Sequence, residues 1–288
     1  MKYTDLEKIL QEDIGWRKKE LSSLFDIAFS KKNEDGDDVL YKTIIRTLYL
    51  LLYSHWEGFI KKSSKIYLSY INQQRIKTSD LTSTFSALIL KKSINDCYSK
   101  ESQESLSIDT YLDFVKLHST KLSSSFKVSV KVDNDFDDGF IKTFSNLNYK
   151  NYKNLTNSLD LPFPDYFSNP IYFVEITDVN GKKQQIEILK KHIDFDLLLY
   201  RHSIAHGGTA FLELDLDVYE LLQEKILYIM DMHYSNILNY CYDELFKWSN
   251  SEKKQRYNKS LDQKVLSFFQ NLEKSTQEPH EDFLVDHN

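Results

Sequence analysis

The stretch DVLYKTIIRTLYLLLYSHWEGFIKKSSKI, residues 38–66, sets the architecture that we predict for the whole chain. Apolar side chains recur in it at intervals of three and four, the spacing of one wide face of an α-helix. They are Leu40, Ile44, Ile45, Leu48, Leu51, Leu52, Trp56, Phe59, Ile60 and Ile66. A stripe this broad predicts a long central helix with other helices packed around it.

Glycine and proline are scarce on both sides of this stretch. The 288 residues include only 7 Gly and 4 Pro, so the chain has few helix breakers and few tight turns. With 41% hydrophobic and 14% aromatic residues, it carries enough apolar surface for an ordered globule. We therefore predict an all-α helical bundle. Further helices are expected over about residues 5–29, 80–96, 108–117, 148–159, 194–206 and 215–248.

A small β-hairpin is predicted between the core helices. Residues 171–176 and 185–189 are rich in strand-forming side chains and flank Asp178-Val-Asn-Gly181, a sequence typical of tight turns. Residues 126–132 alternate apolar and polar side chains, which also predicts a short strand. All these pieces are too short to form a second domain.

The chain is therefore expected to form one helical domain, residues 1–248, with an insertion at about 97–190. Residues 249–288 form a C-terminal extension in this interpretation. Its first part, 249–257, is a charged linker, a short helix follows over 261–272, and residues 278–288 are a flexible tail.

Charge and cysteine content narrow the possible functions. The formal net charge of -6 excludes a globally basic nucleic-acid binder, so any contact with RNA must come from a local patch or a dimer groove. Cys97 and Cys241 are far apart and match neither a disulfide framework nor a zinc spacing, which favours a reducing cytoplasm. No signal peptide and no apolar run long enough to span a membrane are evident.

Arg201 and His206 are the candidate catalytic residues, in the sequence Arg201-His-Ser-Ile-Ala-His206 followed by Gly207-Gly208. An imidazole titrates near neutral pH, so it can take the proton of a ribose 2′-OH or return one to a leaving oxygen. A guanidinium stays charged and can stabilise a phosphorane through two parallel hydrogen bonds. Since glycine is common just past a helix end, the motif is expected in the last turn of its helix.

A regular helix does not bring this pair together. Five positions at about 100° per residue place Arg201 and His206 roughly 140° apart. Either the helix loosens before Gly207, or a second subunit supplies another Arg and His across a two-fold axis. We favour the dimer, because it also provides two imidazoles, one as base and one as acid.

Two other interpretations of the motif compete with this one. In the first, Arg201 and His206 only bond the last carbonyl groups of their helix. In the second, His202 and His206, four residues apart, hold a zinc ion. No third ligand is evident, so neither a metal nor another cofactor is expected.

The sequence resembles the HEPN superfamily, and within it bacterial ribonuclease-like proteins encoded beside restriction and toxin–antitoxin genes. The resemblance lies in Tyr200-Arg-His-Ser-Ile-Ala-His-Gly207, in Tyr53-Ser-His-Trp-Glu-Gly-Phe-Ile60 and more weakly in Lys142-Thr-Phe-Ser-Asn-Leu-Asn148. It covers roughly residues 5–245. It implies an all-α bundle, a homodimer that pairs the two Arg-His motifs, and metal-independent RNA cleavage that leaves a cyclic phosphate.

The same resemblance assigns roles to individual residues. Arg201 and His206 become catalytic, and His202 fills the family's polar position after the arginine, where it tunes or positions the site. Glu57 matches the acidic residue of the family's earlier helix and is expected to orient Arg201 by a salt bridge. His55 is a supporting candidate, but it lies on another helical face, and packing is the favoured explanation for it. Gly58 inside a helix costs stability relative to alanine, and the close approach of another helix is the expected reason for it.

One position departs from the family pattern. Some HEPN toxins have a tyrosine two residues after the motif histidine, where a nucleotidyltransferase antitoxin modifies it, and this chain has Gly208 there. That departure counts against this antitoxin pairing, although an antitoxin or another defence-system protein remains a possible partner. The alternatives to a nuclease are a HEPN-like module that binds RNA, a nucleotide or a protein without cutting, and an interaction subunit of a defence complex.

Overall fold

The computed structural model describes residues 1–32, 38–91, 108–133, 140–164, 173–177, 182–207 and 215–277. Helices account for most of these residues, and the described strands form one small antiparallel sheet. The predicted all-α class with a β-hairpin is therefore confirmed. In this part of the chain no helix is long and apolar enough to span a membrane.

The described helices have the following bounds: α1 Tyr3–Lys32, α2 Asp38–Gln74, α3 83–91, α4 Ile108–Ser123, α5 Tyr149–Ser158, α6 Ile188–Lys190, α7 Leu199–Ala205, α8 Leu216–Tyr242 and α9 Ser251–Gln277. Short 3₁₀ helices, Thr78–Asp80 and Trp248–Asn250, precede α3 and α9. A π-helix, Lys191–Leu198, joins α6 to α7 without a break. Strand β1, Phe173–Thr177, pairs antiparallel with β2, Lys183–Glu187, and the turn predicted between them lies outside the described residues.

Helix α2 is the centre of the bundle. It packs against α1 and α8, which also contact each other, and α7 packs on it from a further side. Most of the predicted apolar stripe of α2 is buried, whereas Leu40 near its start is exposed. Each fully buried side chain of this size contributes about 1.5–3 kcal/mol relative to an exposed one. The buried members are Ile45, Leu48, Leu52, Trp56, Phe59, Ile60 and Ile66.

The strand predicted over residues 126–132 is wrong. Its alternation reflects burial, since Phe126 and Val128 face the core. The Asn72 side chain on α2 takes the place of a partner strand: it accepts from the Val128 N–H at 3.0 Å and donates to the Val128 carbonyl at 2.8 Å. A strand needs a neighbouring strand for its backbone groups, and the described residues offer none at this position.

The C-terminal helices also differ from the prediction. Helix α8 ends at Tyr242 rather than near 248, because Glu244 adopts a left-handed conformation with φ of 49°. The predicted charged linker and short helix form one helix, α9. Apolar side chains at intervals of four residues explain this difference. They pack on the core, so the helix continues back through the charged segment. This stripe consists of Tyr257, Leu261, Val265 and Phe269.

Other predicted boundaries are close to those observed. Helix α5 matches the expected 148–159, and its N-cap Asn148 accepts from the Asn151 N–H at 2.8 Å. Helix α4 is longer than expected. The predicted tail, residues 278–288, lies outside the described residues. The division into a domain with an insertion and an extension stays a prediction.

Candidate functional site

The candidate motif lies on α7, at the end of a continuous helical run over residues 188–205. The π-helix widens this run just before α7, and such widened turns are frequent at functional sites. Tyr200 holds α7 against α2 by stacking on Tyr49, with ring centroids 4.7 Å apart and planes 8° apart. This contact fixes how α7 is rotated against α2 and therefore where the adjacent Arg201 lies.

The motif helix ends where the sequence predicts. His206 is the C-cap residue, with φ of -98° and ψ of 11°, and its N–H still donates to the His202 carbonyl at 3.0 Å. Gly207 follows in the left-handed region with φ of 72°, where glycine is not strained. His206 therefore caps a helix whose hydrogen bonding is regular up to its end. Gly208 lies outside the described residues.

Arg201 reaches from α7 towards α2. Its guanidinium carbon lies 5.1 Å from the centre of the Tyr53 ring, a cation–π contact. Tyr53 is itself held in place, because its hydroxyl oxygen accepts from the Leu147 N–H at 3.0 Å. Burial and the neighbouring Glu57 carboxylate raise the pKa of Tyr53, so the phenol stays protonated. A neutral ring thus supports a charged guanidinium.

Arg201 also lines a cleft of about 780 Å³ between α1, α2 and α7. The described lining residues carry many more positive than negative side chains. The cations are Arg17, Lys61, Lys62, Lys65 and Arg201, and the carboxylate is Glu57. This is the local basic patch that an acidic chain needs in order to bind a polyanion.

Glu57 lines the same cleft but does not form the expected ion pair with Arg201. Its Oε1 accepts from the Thr143 hydroxyl at 2.6 Å and lies 3.8 Å from the Lys61 ammonium. In the described part of the chain Arg201 has no carboxylate within ion-pair distance. Glu57 therefore tethers residues 140–148 to α2, and Tyr53 orients Arg201 instead.

His55 lies outside the cleft, in the contact between α1 and α2. It is buried, its Nε2 lies 2.8 Å from a Glu20 carboxylate oxygen, and its Nδ1 lies 3.4 Å from an Arg17 nitrogen. Since arginine only donates, Nδ1 is the accepting nitrogen and Nε2 carries the proton. Burial and the Arg17 charge lower the pKa of His55, although Glu20 opposes them. The packing explanation agrees with this geometry.

A buried ion cluster forms the α1 wall of the cleft, and the sequence reasoning missed it. Asp13, only 3% exposed, accepts from Arg17 Nε at 3.0 Å, from Lys62 Nζ at 2.8 Å and from Trp16 Nε1 at 3.2 Å. Burial raises its pKa, but the hydrogen bonds from Arg17 and Lys62 outweigh this, so the pKa of Asp13 is lowered. The spacing of Asp13 and Arg17, four residues apart on a helix, was the available signal.

Gly58 makes room for this cluster. A Cβ atom at Gly58 would lie 2.8 Å from the Arg17 Nη1 atom, closer than real side chains approach. The close approach at Gly58 is thus made by the Arg17 side chain of α1, a guanidinium, rather than by the backbone of another helix.

Arg201 lines the cleft, whereas His206 does not. His206 is exposed at the end of α7 and is not part of the cleft lining, and its ring lies 6.1 Å from that of His202. Burial, Arg201 and His206 lower the pKa of His202, so it is neutral at physiological pH. Its Nε2 is buried and has no hydrogen-bond partner among the described residues. His202 thus stands between the two candidate catalytic residues.

The zinc interpretation gains no further ligand from the fold. The His202 and His206 rings are nearly perpendicular, at 83°. In the described ranges no group of three His, Cys, Asp or Glu residues lies together as metal ligands would.

Comparison with known proteins agrees with the motif and the fold. The model of the MAE_28990-like HEPN family matches residues 6–246, which includes the central bundle, the cleft and the Arg201 to His206 motif. No curated protein and no solved structure matches the chain. Since the match covers most of the sequence, the chain belongs to the HEPN superfamily, within its MAE_28990-like family.

Proposed function

We propose that this chain is a metal-independent endoribonuclease that uses Arg201 and His206 at a homodimer interface. HEPN domains are often ribonucleases and typically bind RNA and dimerise. The observation that carries the proposal is the position of Arg201 on the wall of a strongly cationic cleft in a chain of net charge -6, with an exposed histidine ending the same helix.

The reaction needs one bond made and one broken at phosphorus. A base removes the proton of the ribose 2′-OH, the 2′ oxygen bonds to the adjacent phosphorus, and the bond from phosphorus to the 5′ oxygen breaks. An acid returns a proton to that 5′ oxygen, which leaves a 2′,3′-cyclic phosphate and a 5′-hydroxyl end. His206 of one protomer supplies the base and His206 of its partner the acid, while Arg201 stabilises the phosphorane.

The exposure of three side chains supports a dimer as the active form. His206 is solvent-accessible rather than packed in its own chain, so a partner can reach it. The apolar side chain of Leu199, 53% exposed on α7, and that of Leu50 at the edge of the cleft would be covered in a symmetric interface. The neutral His202 next to Arg201 fits a positioning role.

The biological role follows from the resemblance to proteins encoded beside restriction and toxin–antitoxin genes. We propose that the enzyme acts on RNA in the cytoplasm as a toxin or an anti-phage effector. An antitoxin or another defence-system protein would hold it inactive until it is needed.

The test is incubation of purified protein with total RNA, followed by mapping of the cut ends. Arg201→Ala and His206→Ala should each abolish cleavage while circular dichroism and the dimer are unchanged. Matched controls are Arg256→Ala on α9 and His118→Ala on α4, which lie outside the cleft lining and should cut normally. Cleavage should persist in EDTA, and full activity of either motif variant would contradict the assignment.

The separation of Arg201 and His206 within one chain favours a second candidate, a HEPN module that binds RNA without cutting. In that case wild type and both motif variants would bind RNA and leave every end intact. Cut ends with cyclic phosphates from wild type alone would exclude it.

A further inference from the structure

We propose that Trp16, Arg17 and Lys62 form a nucleotide-binding subsite on the α1 wall of the cleft, where single-stranded RNA stacks a base on Trp16 and places a phosphate against Arg17 and Lys62. This inference rests on the proposed function for the identity of the ligand. The subsite gives the RNA a second point of attachment, on α1, whereas Arg201 lies on α7. It also defines the substrate class, an unpaired strand.

Trp16 is a prearranged stacking surface. Trp16 is 48% exposed and lines the cleft, so part of its ring surface is open to a ligand. Three contacts nevertheless fix the orientation of the indole. Its N–H donates to Asp13, and the Arg17 guanidinium lies 4.6 Å from the ring centre. The His55 ring contacts it edge-on, with ring centroids 5.1 Å apart. A base can therefore stack on it without ordering a mobile side chain.

The charge beside Trp16 suits one phosphate. Arg17 and Lys62 bring two positive charges to the cleft wall, and Asp13, which lies behind them, neutralises one. Lys62 keeps part of its side chain exposed, at 39%, so its ammonium can contact a ligand while it stays near Asp13. Gly58 keeps the guanidinium close to α2 at the floor of the cleft.

Stacking on Trp16 selects for an unpaired base. In a duplex both faces of each base are covered by neighbouring pairs, whereas single-stranded segments can place a base on an aromatic ring. Arg201, on the wall of the same cleft, is then a second cation for the backbone of that strand. The cleft thus combines the two features of a single-strand groove, an exposed aromatic ring and several cationic side chains.

The experiment uses a fluorescently labelled, 2′-O-methylated ten-nucleotide RNA, which cannot be cleaved, and the full-length protein. Fluorescence anisotropy gives the dissociation constant of the single strand and of its duplex. Trp16→Ala should weaken single-strand binding by roughly 5- to 150-fold, the range for loss of one base–aromatic stack. The matched control is Trp248→Ala, whose indole is 53% exposed outside the cleft and which should bind normally.

Two further variants separate stacking from folding and from charge. Trp16→Phe keeps an aromatic face and should retain most of the affinity. Lys62→Ala should reduce the slope of log affinity against log salt by about 0.7, the value for one single-strand phosphate contact. Circular dichroism of each variant verifies the fold.

Several results would overturn the subsite. The wild type could fail to bind the single strand, or it could bind strand and duplex equally. Trp16→Ala could bind with unchanged affinity. Trp16→Ala could also change the oligomeric state, which would make Trp16 an interface residue between copies.

Because the RNA cannot be cleaved, the subsite and the nuclease are tested separately. Trp16-dependent binding without any cleavage of natural RNA refutes the nuclease alone. The subsite alone is refuted if cleavage depends on Arg201 and His206 while RNA binding is unchanged in Trp16→Ala.

Discussion

Replacement of Arg17 by methionine tests how the α1 wall of the cleft is held together. Methionine keeps most of the apolar stem and removes the charge that pairs with Asp13. The Arg17 and Asp13 side chains are 10% and 2% exposed, so solvent screens this pair little. We predict that Arg17→Met leaves a buried carboxylate with fewer hydrogen bonds and lowers the free energy of unfolding.

The magnitude follows from the contacts that remain. Loss of one partner of a buried ion pair costs about 3–5 kcal/mol. Asp13 keeps the hydrogen bonds from Lys62 at 2.8 Å and from Trp16 at 3.2 Å, so the lower end, about 3 kcal/mol, applies. For a chain of this size about 1 kcal/mol shifts the melting temperature by about 2 °C, which gives a loss of about 6 °C.

The loss should depend on pH. In the wild type the lowered pKa of Asp13 means that its ionised form adds stability above about pH 4, the value in the unfolded chain, and that this stability disappears as the pH falls through the lower folded value. Without the hydrogen bond and charge of Arg17, the pKa of Asp13 should rise from its wild-type value. The difference between the two proteins should therefore be largest at pH 7 and shrink on acidification.

Melting curves by circular dichroism between pH 7 and pH 3 measure both effects. The control is Lys8→Met, which removes an exposed ion pair to Glu12 on the same helix and should change the melting temperature by about 1 °C or less. A loss below about 2 °C for Arg17→Met at pH 7, or a loss that grows towards acid pH, would refute this account of the cluster.

Three further perturbations test other parts of the structure. Thr143→Val removes the hydroxyl donor to Glu57 and should cost about 1.5–3 kcal/mol in urea unfolding, and an unchanged midpoint would show that residues 140–148 are anchored otherwise. Burial lowers the pKa of His233 to about 3, so the free energy of unfolding decreases as the pH falls from about 6.5 towards 3. His233→Asn should reduce the slope of that free energy against pH by about 1.4 kcal/mol per pH unit. An identical slope in the variant would contradict this account. Phe269→Ala should cost about 3–5 kcal/mol, whereas tolerance of it would mean that α9 is not part of the core.

Periodicity located the helices better than composition did. The stripe of α2 and the glycine that ends α7 are local features, so the sequence alone predicts them. Composition misled the prediction at residues 249–257, where charged side chains suggested a linker although the stripe through Tyr257 continues the helix. The alternation at 126–132 misled it too, because alternate burial arises equally when a helix side chain such as Asn72 satisfies the backbone.

The sequence by itself determined the helical class, the family motif, and the place of Arg201 and His206 in the last turn of a helix, because propensity, caps and short motifs act over a few residues. Only the tertiary structure decided the surroundings of that motif. It placed Tyr53 rather than Glu57 beneath Arg201 and brought Arg17 of α1 over Gly58 of α2. Such contacts join residues distant in sequence, and they depend on how the helices cross, which no local pattern encodes.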